Sequence, residues 1–418
     1  MLVIKNGKLI DNSGRLYEAD IKIENERIVE IGTNLEAETT IDAKGKLVTP
    51  AFIDVHTHTR NPGQSYKESI ESITESALAG GYSTLMAMPN TSPVIDDENK
   101  LTEVLEMLNT GKVKYYQYGA LSKNLVSEEA GDYAAMKKAG AVALSNDGRG
   151  VQQTDSIYQM MKKCVEHDML YVSHSEVDDI LYNGVMHEGA KSKELNLPGI
   201  LGSVESIAVA KEIMLATELD CKYHVCHMSS KMSVDTLRTH KGYGSKVSGE
   251  VSPHHLVLCD EDIPSDDPNY KMNPPLRSRS DREALIEGLN DGTIEIIATD
   301  HAPHSVSDKG NSFIGGAFGI VGLETAFDLL YSNLVLTGKV SLKTIVDSLT
   351  VNPARIFGVE GGRLEVGELA NITIIDLDVE RTIDVNEFKT LGRNTPFNGY
   401  QVHSKIDTTI IKGEIAYE

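Results

Sequence analysis

The 418-residue chain is short of several things, and each shortage narrows what it can be. It has only four cysteines, Cys164, Cys221, Cys226 and Cys259, which lie far apart or inside apolar runs. No CxxC pair occurs, so neither a disulfide framework nor a thiolate zinc knuckle is expected, and a reduced, cytoplasmic setting is. No apolar run approaches the roughly 20 residues of a membrane span, and neither a signal peptide nor a low-complexity tract is evident. Basic residues are outnumbered 62 to 40 by acidic ones, a formal net charge of −22. A field of that sign repels nucleic acid and anionic membranes. It also repels a small anion, so an anionic substrate would need a local cationic clamp. No GxGxxG follows a strand-like run, so the dinucleotide-binding fingerprint is missing too.

What is present falls into two textures. The first 50 residues are short alternating runs, LVIKNGKLI, ADIKIENERIVEIG and TTIDAKGKLVTP, with Asn6-Gly7 and Lys44-Gly45 read as hairpin turns. The end of the chain repeats this in GRLEVGELANITIID and DTTIIKGEIAYE. Between them, eight buried-strand runs alternate with amphipathic helical stretches such as YKESIESITESALAGG and DREALIEGLNDG. The strand runs are FIDVHTH, STLMAMPN, KYYQYGAL, AVALSND, LYVSHSE, KYHVCHM, KVSGEVSPHH and IEIIATDHAPH. The expected fold is α/β: a (β/α)8 barrel over 51–357, with a small composite β-domain from 1–50 and 358–418. A doubly wound open sheet is the alternative.

Several strand runs end in residues that a strand interior should not carry. The first ends in His56 and His58, the fourth in Asp147, the fifth in His174, the sixth in His227 and the eighth in Asp300. Residues i and i+2 of a strand share a face, so His56 and His58 converge. Barrel active sites lie at the C-terminal strand ends. Four imidazoles and two carboxylates there suit a divalent ion such as Zn²⁺, with ligands enough for two ions sharing a carboxylate. Such ions acidify water and polarise a carbonyl, which is amide or ester hydrolysis. Asp300, held by the apolar IEIIAT, is the candidate for carrying the proton to the leaving nitrogen.

Arg60 follows His58 by two, before Pro62-Gly63 turns the chain away. A guanidinium beside a cationic site calls for an anion between them, and a substrate carboxylate would serve. Asn90, Asn273 and His304 are placed to line the same mouth. The Gly-rich stretch from His304 to Gly322 reads either as a mobile lid or as an ordinary long loop. His224 is a candidate for a place behind the ligands. His254 and His255 have no assigned role.

With these residues in view, the chain resembles the class I dihydroorotases of the amidohydrolase superfamily. The blocks DVHTHTRNPG, AMPNT, SNDGRGVQ, YHVCH, SPHHLVLCDEDIP, KMNPPLR, IEIIATDHAPH, FGIVGLETA and NTPFNGY carry the resemblance, in family order across essentially the whole chain. It implies a barrel with a β-domain built from both termini. The implied reaction is reversible hydrolysis of dihydroorotate to N-carbamoyl-aspartate in pyrimidine biosynthesis. The implied metal ligands are His56, His58, Asp147, His174, His227 and Asp300, holding two Zn²⁺ bridged by Asp147, with Asp300 also the acid/base. The implied substrate contacts are His58, Arg60, Asn90, Asn273, His304 and the backbone at Phe318 and Gly319. A homodimer is expected, and association with aspartate carbamoyltransferase is a further option.

Three positions depart from the family pattern. Asn61 and Asn146 stand where the family usually has acids, and Ala317 where it usually has proline. The competing readings are an allantoinase-like or hydantoinase-like hydrolase and a non-catalytic scaffold for aspartate carbamoyltransferase. Relatives of the first kind use a carboxylated lysine where this chain has Asp147, and scaffold members lose ligands that this chain keeps.

Overall fold

The computed structural model describes all of residues 1–418. Both chain ends enter one eight-stranded sheet. The N-terminal part supplies Leu2–Ile10, Leu16–Glu24, Arg27–Gly32, Thr39–Asp42 and Leu47–Pro50, and the C-terminal part Ile372–Asp376, Lys405–Ile411 and Glu414–Tyr417. The seam is the antiparallel pairing of Leu47–Pro50 with Ile372–Asp376, with Val48 opposite Ile374. Ile4, Ile21, Val48, Ile372, Ile374 and Ile410 form the core of this sheet. Alternation puts these residues on one face, while Leu47, Ile375, Ile406 and Ile411 of the same sheet join the large cluster shared with the barrel.

The turn chemistry differs from the sequence reading. Asn6-Gly7 is not a hairpin turn. The strand runs through it, and the register slips between Ile4 and Gly7, a β-bulge with Asn6 at φ 56°. Glycine is needed there because a Cβ on Gly7 would lie 2.6 Å from Val48 Cγ2. Lys44-Gly45 does turn the chain, but Thr39–Asp42 and Leu47–Pro50 both pair in parallel with the first strand rather than with each other. A tight hairpin instead uses Asn25 and Glu26, both at positive φ, with Glu24 opposite Arg27.

The middle of the chain forms eight parallel strands. They are Phe52–Thr57, Tyr82–Ala87, Lys114–Gln117 with its continuation Gly119–Ala120, Leu144–Ser145, Tyr171–Ser173, Tyr223–Val225, Val247–Val251 and Ile296–Ile297. Each pairs with the next, and the third splits, pairing backwards through Lys114–Gln117 and forwards through Gly119–Ala120. Thr57 bridges His301, and the His58 N–H donates to His301 O at 2.9 Å, so the first strand meets the eighth. That closure makes a barrel and rules out the open doubly wound sheet. Ile53, Val55, Met86, Tyr118, Val172 and Ile296 form one apolar cluster, and Phe52, Leu85, Tyr115, Tyr171 and Tyr223 join the larger one shared with the helices.

Residues 381–402 do not join the terminal sheet. Their short strands Arg381–Thr382 and Gln401–Val402 pair with each other. Ile383, Phe388, Phe397 and Val402 pack with Leu258, Tyr270, Met272, Phe313 and Ile320, from the loops after the seventh and eighth barrel strands. No helix is long and apolar enough to cross a membrane.

Candidate active site

The six expected ligands come together at one end of the barrel. His56 lies inside its strand, His58 and His174 one residue beyond theirs, Asp147 and His227 two beyond, and Asp300 three beyond. Strand alternation alone therefore does not aim them. The first strand gains one residue on its neighbour, since Asp54 faces Leu85 but Thr57 faces Ala87, and this bulge lies just where the histidines begin. Arg60, His227 and Asp300 take φ of 61°, 29° and 51°. Left-handed backbone at a non-glycine residue costs on the order of 1–3 kcal/mol, and it is found where a site must be aimed.

Asp147 is the hub. Its Oδ1 lies 3.4 Å from His56 Nε2, 3.6 Å from His174 Nδ1 and 3.5 Å from His227 Nε2, and its Oδ2 3.6 Å from His58 Nε2. Asp300 Oδ1 lies 3.0 Å from His58 Nε2 and 3.6 Å from His56 Nε2. Two triads, His56–Asp147–His227 and His56–His58–Asp300, have their donor atoms within 4.8 Å of one another. His56 Nε2 and Asp147 Oδ1 are buried and have no hydrogen-bond partner. Buried polar atoms are rarely left so, and lone pairs converging at these distances are what a cation would satisfy. Burial opposes charge on Asp147, yet His56, His174 and His227 hold its carboxyl well below the usual range. Burial likewise pushes Asp300 up, but His58 and His56 outweigh it and keep it ionised.

Above this floor is a cavity of about 210 Å³, lined by His58, Arg60, Asn90, Asp147, Gly148, His174, His227, Asn273, Asp300, Ala302, His304, Phe318 and Gly319. Every expected site residue borders it except His56, which is wholly buried beneath. Arg60 donates from Nε to Pro303 O at 3.1 Å, and its second nitrogen lies 3.1 Å from His304 Nε2. Burial draws Arg60 down to about 10, which leaves it a cation at neutral pH. Asn90 Oδ1 meets His58 Nδ1 at 3.0 Å, and its Nδ2 donates to Asp147 Oδ2 at 3.3 Å. Asn273 Nδ2 donates to Glu176 Oε2 at 2.7 Å.

The amidohydrolase family model matches residues 47–416. The chain belongs to the amidohydrolase family. It is 46% identical over 419 residues to the dihydroorotase of Bacillus pumilus (strain SAFR-032), covering 100% of this chain and 98% of that one. It is 46% identical over 420 residues, with the same coverage, to the dihydroorotase of Bacillus subtilis (strain 168). Among solved structures, L-hydantoinase (dihydropyrimidinase) from Arthrobacter aurescens superposes with a TM-score of 0.90 at 26% identity, covering 100% of this chain and 96% of that one.

Within this amidohydrolase barrel, several residues support the site without having stood out in the sequence. Glu250, in the seventh strand, is fully buried. It meets His56 Nδ1 at 2.7 Å and His224 Nε2 at 3.1 Å, and accepts the His227 N–H at 3.2 Å. His224 thus stands behind His56, through Glu250. Burial would raise Glu250, but His56 and His224 bring it down to about 2. An acid inside the run KVSGEVS was the available signal, since strand interiors exclude unpaired charge. Glu68 accepts from Ser72 and Thr390 hydroxyls and the Leu391 N–H, and lies 3.5 Å from His301 Nε2. His255 Nε2 donates to Pro274 O at 3.0 Å, bracing the turn that carries Asn273.

The His304–Gly322 segment is fastened by two buried ammonium groups. Lys309 Nζ donates to the carbonyls of Lys271, Ala317 and Gly319 at 2.9–3.1 Å. Lys271 Nζ donates to Phe313 O and Gly316 O at 2.6 Å and sits 4.1 Å from the Phe318 ring centroid. The three departures from the family pattern fit their surroundings. Asn61 Nδ2 donates to Thr59 O and Glu68 O, which a carboxylate cannot do. Asn146 turns away from the ligands to pin Ser122 through its N–H and hydroxyl. The Ala317 N–H donates to Asp308 O at 2.9 Å, a bond proline would forgo.

Proposed function

We propose that the chain is a dihydroorotase, hydrolysing the cyclic amide of (S)-dihydroorotate reversibly to N-carbamoyl-L-aspartate in pyrimidine biosynthesis. The observation that carries this is the pairing of Arg60 with His304 at the edge of the cavity. Two groups that can each donate a hydrogen bond face the same space, 3.1 Å apart, above a floor of imidazoles and carboxylates. That is a seat for a carboxylate held next to a hydrolytic centre, and it answers the repulsion expected from a net charge of −22. Full-length relatives named dihydroorotase support the same reading.

His56, His58, His174, His227, Asp147 and Asp300 would hold two Zn²⁺, with Asp147 shared. Bound there, such ions lower the pKa of water and polarise the scissile carbonyl. Arg60 and His304 take the substrate carboxylate, and Asn90 and Asn273 flank it. The backbone at Phe318 and Gly319 faces the ring from the fastened loop. Asp300, ionised at the start, accepts a proton from water as the new C–O bond forms. It returns that proton to the ring nitrogen as the C–N bond breaks, so one water is consumed and Asp300 is regenerated. The reading includes a homodimer and the option of a complex with aspartate carbamoyltransferase, both measurable by light scattering with and without that enzyme.

The test is a purified-protein assay with dihydroorotate, N-carbamoyl-aspartate, allantoin and hydantoin. Turnover of the first two should be lost on chelation and regained with Zn²⁺. Turnover of allantoin or hydantoin alone, or full activity in protein shown metal-free by elemental analysis, would overturn the reading.

A further inference from the structure

Beside the carboxylate seat is a second cation with no role in the chemistry above. Lys67, from the loop after the first barrel strand, has its side chain 11% exposed. Its Nζ lies 3.4 Å from His304 Nδ1 and 3.6 Å from Asp308 Oδ2. On the other side of the same ring, His304 Nε2 lies 2.9 Å from Phe318 O and 3.1 Å from Arg60.

Three neighbours of the ring, Lys67, Phe318 O and Arg60, decide where its hydrogen sits. A carbonyl oxygen only accepts, and ammonium and guanidinium groups only donate. With the hydrogen on Nε2, the ring donates to Phe318 O and accepts from Lys67, and only Arg60 is mismatched. With the hydrogen on Nδ1, Arg60 is matched, but Nδ1–H opposes the Lys67 ammonium and the Nε2 lone pair opposes Phe318 O. The first arrangement has one conflict and the second has two. The single conflict, two donors facing each other 3.1 Å apart, would be relieved by an anion that accepts from both.

We propose that Lys67 is a positioning residue that holds His304 in the tautomer with its hydrogen on Nε2, so that the carboxylate seat presents a donor rather than a lone pair. The role rests on the dihydroorotase reading for its purpose, though not for its geometry. The same neighbours oppose a second ring proton. Burial and then Arg60, Lys67 and Lys309 bring His304 down to about 3, against the Phe318 carbonyl. Asp308 is the acid on its own segment, Asn394 accepts only its backbone N–H, and Asp266, Asp267 and Arg393 line the pocket behind it. His304 is therefore a neutral donor across the working pH range, and Lys67 is the neighbour that meets Nδ1.

The test uses the full-length enzyme labelled with [¹⁵N]histidine, its metal content recorded, and the His304 signal assigned by its loss in His304→Gln. Wild type should show a protonated Nε2 and a bare Nδ1 from pH 8 to pH 5. Lys67→Met should give mixed tautomers, or a ring that titrates within that range. Its kcat/KM should fall about tenfold, carried mainly by KM. Lys67→Arg, again a pure donor, should restore both, and it tests the idea even if the methionine variant folds poorly. An unchanged His304 signal in Lys67→Met, or a tautomer change in Lys67→Arg, overturns the proposal. The tautomer readout needs no substrate. A signal that shifts in a protein inactive on dihydroorotate would therefore overturn the functional reading and keep this one, and an unmoved signal in an active enzyme would do the reverse.

Discussion

Glu250→Gln is the most informative single perturbation of the site. Glu250 touches no substrate. Its carboxylate holds the Nδ1 side of His56, one nitrogen of His224 and the backbone N–H of His227, whose φ of 29° is strained. Glutamine keeps the shape and one oxygen, so the His56 Nδ1–H still finds an acceptor. The other oxygen becomes a donor, which His224 can meet by exchanging tautomers against Ser248. What disappears is the charge. A hydrogen bond to a charged group is worth about 1.5–3 kcal/mol and a neutral one about 0.5–1.5, so His56 loses on the order of 1–1.5 kcal/mol of orientation. Removing such a support behind a ligand typically weakens metal binding about 10–100-fold, or about 1.4–2.8 kcal/mol. We expect the Zn²⁺ Kd, measured by competition with a chelator of known affinity, to rise within that range while the fold stays intact by circular dichroism. Most of the turnover should return at saturating Zn²⁺. Unchanged metal affinity with lost turnover would refute the reasoning, because Glu250 would then be acting on the reaction rather than on His56.

Three further outcomes are expected. Arg60→Gln should lower kcat/KM by at least about 30-fold, largely through KM, because truncating one side of a desolvated charge pair costs roughly 2–5 kcal/mol; steady-state kinetics in both directions decide, and a change confined to kcat counts against the clamp. Asp300→Asn with metal bound should lose about 10²–10⁴ in kcat, the usual worth of a general acid/base, and near-normal kcat would mean that another group carries the proton. His187 is brought down to about 4 by burial and then by Arg277, whereas in the unfolded chain it takes a proton near the ordinary 6.5. Its share of stability is whole above pH 6.5 and is lost as pH falls towards 4, by at most about 3 kcal/mol, less with solvent screening. His187→Gln should therefore flatten the fall in thermal stability between those pH values, and an unaltered slope would dismiss the linkage.

The parts legible in the sequence were those with a local signature. Eight apolar runs announced the barrel, and those that end in histidine or aspartate marked the candidate site, because a strand that stops in such residues has no structural reason to do so. Arg60 does border the cavity, but it was put there by an incomplete argument. Strand alternation put it on the face of His58, but the strand stops at Thr57 and a left-handed turn does the aiming. Asn6-Gly7 misled because the residue pair that favours a hairpin also favours a bulge, and the nearness of Val48 chooses between them. Glu68 and Lys67 lie in the helical run YKESIESITESALAGG, where nothing local sets them apart. What does so is Thr390 and Leu391, more than 300 residues away for Glu68, and the ring of His304 for Lys67. No window along the chain contains such pairings.

The same distance has a consequence in time. Asn394 donates to Ala302 O and Gly319 O and accepts the His304 N–H, so a residue near the end of the chain ties together the wall of the cavity. Glu68, at the start of the first barrel helix, waits for Thr390, and the strand at Leu47–Pro50 waits for Ile372–Asp376. A ribosome delivers the chain from its N-terminus at roughly 5–20 residues per second. Once Asp300 has been made, the nascent barrel has all eight of its strands, while its mouth still waits for Thr390 and Asn394 and its terminal sheet lacks up to three of its eight strands. The hydrolytic centre is thus completed late, and a ribosome that stalls in the last tenth of the message would leave a nearly full-length barrel without a finished site.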